Sequence, residues 1–323
     1  MNDAQNNLPH PAPSERKICT VIIASREAPP ILEATLRRTL ASVHKHAVVD
    51  VLINGNEDLA KQFGVLMAPL MRANPRTELR LWSILLADKA HALNTYVHEI
   101  WPGDGIAYFV DGYVRPNEDA FRLLEQALKQ NPDAWCASGV PSVGHSAKTL
   151  RREQITEHGI HGNLFCLGHE TMQRLRSSGF RLPLGIYRTD PTIGAAIKYS
   201  LDPRSNPWNP GRIAVEENTS WETDVKKWWS RSDLQAQIKR RIRQAQGDLE
   251  NQSVKHHLAE KKRLPEEMPD TVLELVQTWI HEDPSEARKL LGNPLRRYAY
   301  GQLCHPKDWS LAALPPDRIE LPI

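Results

Sequence analysis

The 323-residue sequence predicts an α/β fold: a mostly parallel sheet flanked by helices, with an α-helical C-terminal extension. Three observations predict it. From residue 18 to about 140, short apolar runs of strand length alternate with helix-periodic segments, the pattern of strands joined by crossover helices. The strand-like runs are apolar throughout rather than alternating, as strands buried on both faces are. After Trp221 the composition turns basic and helix-periodic. The expected organisation is a disordered lead-in over 1–16, an α/β domain over 17–225, and a basic amphipathic helix with an α-helical region over 226–323.

The first strand is 18–25 (ICTVIIAS), followed by a helix with Leu32, Leu36, Leu40 and Val43 on one face. Residues 48–53 form a second strand, ending at Asn54-Gly55-Asn56, with a helix to about Met71. Residues 78–86 (ELRLWSILL) form a third, after which Asp88-Lys89 opens a helix carrying Ala92, Leu93, Tyr96 and Val97. The fourth, 106–110, stops abruptly at Asp111-Gly112. Arg115-Pro116-Asn117 then starts a helix with Asn117 as N-cap, and Phe121, Leu124 and Leu128 pack its inner face. Further strands are expected over 133–140, 159–167 and 212–216, with helices at 169–178 and from Asp190. Right-handed crossovers set the loops after the first four strands along one edge of the sheet, where ligands bind in open α/β folds.

Composition narrows the function classes. The formal charge of +2 argues neither for nor against nucleic acid, and no aromatic stacking platform accompanies the basic stretch. No run of about 18 apolar residues is present to span a membrane. The polar, proline-containing lead-in lacks the apolar core of a signal peptide. The four cysteines are scattered without a CxxC pair, which reads as free thiols in a reducing cytoplasm and not as a zinc site.

Four loops bring polar residues to the same edge: Ser25-Arg26-Glu27, Asn54-Gly55-Asn56, Asp88-Lys89 and Asp111-Gly112-Tyr113. In this order and spacing the sequence, over about 18–220, resembles the family 2 glycosyltransferases, which have the nucleotide-sugar-binding GT-A fold. The resemblance implies that VIIASRE holds base and ribose through Ser25, Arg26 and Glu27, and that Asn54 contacts the base. It aligns Lys89 and Asn94 of DKAHALN with a donor-binding segment, and YFVDGY, with Asp111, Gly112 and Tyr113, with the acidic metal motif. HGNLFCL (His161, Gly162, Asn163) falls on the acceptor side, and Thr189-Asp190 aligns with the pair whose Asp is the catalytic base. Arg240, Arg241 and Arg243 of IKRRIRQAQGDL stand where the family carries a diphosphate-contacting segment, here without its tryptophan.

The chemistry asks for such groups. A leaving diphosphate needs its charge neutralised, which a divalent cation (Mg²⁺ or Mn²⁺) held by a carboxylate such as Asp111 achieves. An acceptor hydroxyl has a high pKa and needs a carboxylate to take its proton. Each residue also has a plainer reading: Asp111 a turn acid, Asp190 an N-cap, Lys89 a solvated helix-start lysine, and His158 and His161 surface histidines. Tyr113 departs from the family pattern, which has a second acid there. The basic helix, with Leu234, Ile238, Ile242, Ala245 and Leu249 at helical spacing, has three readings. It docks on the core, contacts diphosphate, or lies on an anionic membrane beside Trp228 and Trp229.

The expected function is therefore sugar transfer from a nucleotide diphosphate-sugar donor to a hydroxyl acceptor on a glycan, a lipid-linked carrier or a small molecule. Inversion is implied by the resemblance. The alternatives are a non-catalytic nucleotide- or sugar-binding module of the same ancestry and, more weakly, a nucleotidyltransferase. The enzyme is expected in the cytoplasm, without nucleic-acid partners and with peripheral membrane contact as an open alternative.

Overall fold

The computed structural model describes residues 17–142, 147–223 and 231–321, with side chains for all of these except 231–237. The first half follows the apolar runs closely. It reads β1 (Ile18–Ala24), α1 (Pro29–Ser42), β2 (Ala47–Asn54), α2 (Glu57–Ala73), β3 (Thr77–Ile84), α3 (Lys89–Thr95) and β4 (Ile106–Asp111). A π-helical turn, Tyr96–Ile100, extends α3. β1 pairs in parallel with β2 on one side and β4 on the other, and β2 with β3.

Both faces of β1 are buried, which is why its sequence does not alternate. Cys19, Val21 and Ile23 pack into one apolar layer with Leu93, Phe109, Ile193, Leu249 and Trp279. Ile18, Ile22 and Ala24 pack into the other with Leu32, Leu36, Phe63 and Phe121.

The stretch after β4 corrects one expectation. Arg115–Pro116 is a short strand, β5, paired antiparallel with β9 (Trp221–Glu222). Asn117 does not cap a helix. Its N–H bonds the Ser220 carbonyl at 3.2 Å and its amide nitrogen donates to Ser220 Oγ at 2.7 Å, which extends the β5–β9 contact. α4 (Ala120–Gln130) starts later, with Asp119 at the cap position, and still buries Phe121 and Leu124.

The expected strand at 133–140 narrows to β6 (Cys136–Ser138), and that at 159–167 to β7 (Leu164–Leu167). Between them lies an unforeseen helix, α5 (Ala147–Glu157). Then come α6 (His169–Ser178), α7 (Thr189–Lys198) and β8 (Ile213–Val215). β7 runs antiparallel to both β4 and β6, whereas β8 is parallel to β6.

The basic stretch forms α8 (Arg231–Lys255). Its buried face is displaced from the one expected. Ala245 and Leu249 are buried, Ile242 is half-buried, and Ile238 is 53% exposed. The side chain of Leu234, together with Trp228 and Trp229 and the lead-in 1–16, lies outside the described residues. Helices α9 (Val272–Glu282), α10 (Pro284–Leu291) and α11 (Pro294–Leu303) follow. The C-terminal region is not wholly helical: β10 (Asp317–Ile319) pairs antiparallel with β3. The sheet order is thus β10-β3-β2-β1-β4-β7-β6-β8. No helix of the described residues is long and apolar enough to cross a membrane.

Candidate functional site

The chain winds outward from β1 in both directions, to β2 and β3 on one side and to β4 on the other. That reversal leaves a crevice outside the carboxyl ends of β1 and β4, the usual ligand position in such sheets. Ile23 and Asp111 are register partners there. Gly112 lets the two strand ends stay together: its N–H bonds the Ile23 carbonyl at 2.8 Å, and a Cβ would stand 2.8 Å from Ala24 Cβ. Gly112 is thus required by packing.

Asp111 is a coordinated carboxylate and not a solvated turn acid. Lys89 Nζ donates to its Oδ1 at 2.5 Å. The Tyr113 hydroxyl stands 3.2 Å from Asp111 Oδ2 and 3.0 Å from Asn163 Oδ1, with one proton to give to one of them. Asn163 reaches this point because β7 is antiparallel. The start of β7, not its end, lies at the carboxyl edge of β4, and the Asp111 N–H bonds the Asn163 carbonyl at 3.3 Å. Burial alone would lower the Lys89 pKa, but Asp111 and Asp190 outweigh it and raise it. Burial, followed by the Asp111 charge, pushes the Tyr113 phenol up, so it stays protonated and able to donate.

Asp190 lines the same cavity as Lys89, Asp111 and Gly162, with Phe109 and Ile193 among its apolar walls. It is not an N-cap: Arg188 holds that position and Asp190 is the second residue of α7. The first turn of a helix still favours an ionised carboxylate. The Gly162 N–H donates to Asp190 Oδ2 at 3.1 Å, and a Cβ on Gly162 would stand 3.2 Å from the Asp190 carboxyl carbon. His161 accepts the Asn163 N–H on Nδ1 at 3.2 Å and its ring lies 4.8 Å from that of Trp221. Burial outweighs the pull of Asp190 and lowers its pKa, favouring neutral imidazole with the proton on Nε2.

Other expected site residues are committed to the protein itself. Asn54 is 4% exposed. In the amide orientation that satisfies both ends, its nitrogen donates to the Ala24 carbonyl at 2.7 Å and its oxygen accepts the Asp88 N–H at 3.2 Å. Asn94 exchanges two hydrogen bonds with Leu182, at 2.9 and 2.8 Å. Glu27 folds back so that Oε2 accepts the N–H groups of Ser25 and Arg26 at 2.6 and 2.9 Å, and Asn56 holds the Ser25 carbonyl at 2.9 Å. The Arg26 side chain is exposed. His158 Nδ1 is 2.9 Å from the Ile213 carbonyl.

Arg240, Arg241 and Arg243 are exposed on α8. At 100° per residue, Arg240 and Arg243 share the helix face of Gly247 and Glu250, which touches Tyr187 and Arg188. Arg241 points away from that face.

Two further residues support the crevice, and the sequence marks only the first of them. Asp88 caps α3 through the His91 N–H and reaches the Gly185 N–H at 3.0 Å, fixing the loop before α7. Its place before Lys89 was a usable cap signal. Glu250 was hidden among the charges of α8, and nothing in its spacing marks it. Away from the crevice, His256, Glu260 and Asp283 come close enough to suggest a cation site. His256 lies between Glu260 and Glu282, however, while Lys255 pairs with Glu260 and Lys261 and Arg263 with Glu282. This is an ion-pair network whose carboxylates already have their countercharges.

The sequence matches no protein-family model and no curated protein. The structure is similar to a mannosyltransferase from Pyrobaculum calidifontis solved with GDP-Man and Mn²⁺. The TM-score is 0.50 at 17% identity, over 94% of this chain and 88% of that one. It is also similar to glucosyl-3-phosphoglycerate synthase from Mycobacterium tuberculosis, solved with Mn²⁺, UDP-glucose and phosphoglyceric acid. There the TM-score is 0.49 at 13% identity, over 75% of this chain and 79% of that one. The eight-stranded sheet, with its helices on both faces and its crevice at β1 and β4, is a GT-A-like α/β fold.

Proposed function

We propose that this protein is a glycosyltransferase that moves a sugar from a nucleotide diphosphate donor to a hydroxyl acceptor with inversion. The observation that carries the reading is the meeting of Lys89, Asp111 and Asp190 in one cavity at the strand-order reversal. Asp190 takes the acceptor proton as the hydroxyl oxygen attacks the anomeric carbon, and nucleoside diphosphate departs. The Gly162 N–H orients the carboxylate for that transfer. Lys89 offers positive charge where the leaving oxygens gain negative charge. His161 and Asn163 line the acceptor side. Arg240 and Arg243, on the α8 face toward Arg188, are the better placed of the three arginines for diphosphate.

Asp111 offers a hard carboxylate oxygen, with the Asn163 amide oxygen one hydroxyl away. That suits Mg²⁺ or Mn²⁺ completed by diphosphate oxygens and water. Such an ion would act as a Lewis acid on the diphosphate. It would share Asp111 with Lys89 and the Tyr113 hydroxyl, so its hold is weaker than with two carboxylates. The solved complexes with nucleotide sugars and Mn²⁺ belong to those proteins, and they motivate the choice of probes.

The test is Asp190→Asn in a transfer assay that follows release of nucleoside diphosphate. Transfer is expected to fall about 10²–10⁴-fold with nucleotide binding nearly intact. Transfer at the wild-type rate would remove Asp190 from the role of base. A second reading is favoured by one contact, the Tyr113 hydroxyl on Asp111: a non-catalytic binding module. It predicts nucleotide binding with no turnover of any donor.

A further inference from the structure

The loop that delivers Asp190 is held by a buried carboxylate from the C-terminal region. Glu250, on α8, is 0% exposed. Its oxygens accept the Tyr187 N–H, both at 3.0 Å, and the Arg188 N–H at 2.8 Å. Gln246, one turn earlier, donates its amide to Glu250 Oε1 at 2.6 Å and fixes the carboxylate from the other side. These are the N–H groups of the two residues immediately before Thr189-Asp190.

Gly247 completes the arrangement. A Cβ there would stand 2.4 Å from Arg188 Nε, so at this glycine the Arg188 side chain lies directly against α8. Burying a carboxylate is costly unless its oxygens are bonded. Burial raises the Glu250 pKa, and the N–H groups of Tyr187 and Arg188 with the Gln246 amide work against that rise. An apolar residue at this position would avoid the cost, but it would leave the Tyr187 and Arg188 N–H groups to find other partners.

We infer that Glu250 is a positioning residue. By holding the Tyr187-Arg188 backbone against α8, it sets the direction in which the first turn of α7 presents Asp190 to the crevice. This rests on the assignment of Asp190 as base, and it makes the C-terminal region part of the working site. Glu250 touches no reacting atom. A carboxylate displaced by about 1 Å loses much of its catalytic value, on the order of 10²-fold, so the effect belongs in kcat.

The experiment compares the full-length protein with Glu250→Gln, which keeps the size of the side chain and loses one acceptor. Amide exchange is read by mass spectrometry on peptides spanning 186–192 and, as a reference, on β1 to β4. Steady-state transfer is measured in parallel. Exchange at 187–188 is expected to rise about tenfold with the reference unchanged. kcat is expected to fall at least tenfold with the donor KM within about twofold.

Unchanged exchange at 187–188 would overturn the inference. So would faster exchange with an unchanged kcat, or a uniform rise across the sheet with loss of nucleotide binding, which marks simple destabilisation. If Glu250→Gln does not fold, Gln246→Ala leaves the carboxylate in place and should show the same pattern at smaller size; no local change there would overturn the inference as well. A protein that transfers no sugar, yet loosens only at 187–188, would support the backbone hold while rejecting the glycosyl-transfer reading.

Discussion

The carboxyl ends of β2 and β4 carry side chains of similar polarity and use them in opposite ways. At β2, Asn54 and Asn56 are turned into the protein, bonding the Ala24 and Ser25 carbonyls and the N–H groups of Asp88 and Leu59. At β4, Asp111 faces a cavity shared with Lys89 and Asp190, and its neighbours bond it without closing it off. One strand end holds loops, while the other keeps charge available. Each of these side chains has two partners; what separates them is that the amides bond backbone groups, whereas the carboxylate bonds side chains and lines the cavity.

The contrast is broken most severely at Asp111. Asp111→Ala leaves Lys89 without its hydrogen-bonded carboxylate and removes the oxygen proposed to hold a cation. Thermal-shift titration with nucleoside diphosphate and Mn²⁺ should show affinity reduced at least about tenfold, roughly one lost charge-assisted contact. An unchanged midpoint shift would place the diphosphate elsewhere.

On the holding side the effect is expected in stability and not in binding. Asn94→Ala strands the Leu182 N–H and carbonyl in a buried position, at a cost of about 2–4 kcal/mol. Denaturant unfolding should report it, with the donor KM unchanged in the folded protein. Asn54→Ala sharpens the same comparison. As a holder, it should cost about 1–3 kcal/mol and leave the preference among UDP, GDP and other diphosphates as it was. A changed base preference without loss of stability would return Asn54 to the base site.

The smallest effect lies in the ion-pair network beside α9. The hydrogen bond from Arg263, supported by that from His256, holds the Glu282 carboxyl down at about 2, against an ordinary 4.5. A depressed carboxylate stabilises the fold above its unfolded pKa and loses that contribution as pH falls. Glu282→Gln should therefore flatten the decline of melting temperature between about pH 4.5 and 2, with little change in transfer at neutral pH. A wild-type slope in the variant would remove Glu282 from acid stability.

Much of this layout was readable beforehand, for physical reasons. Strands buried on both faces write unbroken apolar runs, so β1 to β4 and their end loops stood out. α5 did not, because only Ala147 and Gln154 of its residues are buried and no apolar stripe results. β10 is three residues long with two exposed, too short and too polar for a strand signal. The direction of β7 is set by pairing with β4 and β6, which no local pattern encodes. At the site, Asp111 and Asp190 are legible as acids at a strand end and at a helix start, but their meeting with Lys89 depends on the crossovers. The roles of Asn54 and Asn94 depend on partners about 30 and 90 residues away, invisible to spacing.

β10 has a consequence for how the molecule comes into being. It joins β3 across more than two hundred residues of chain, and Glu250 joins Arg188 across 62. During synthesis from the N-terminus, β1 to β4 have their partners early, and chains fold in units as they emerge. The peptide bearing Asp190 lacks its Glu250 anchor until α8 has been made, and one sheet edge stays open until β10 arrives. A half-made chain can thus own the crevice before the residue proposed as base is held in place, so on that reading competence to bind comes before competence to react.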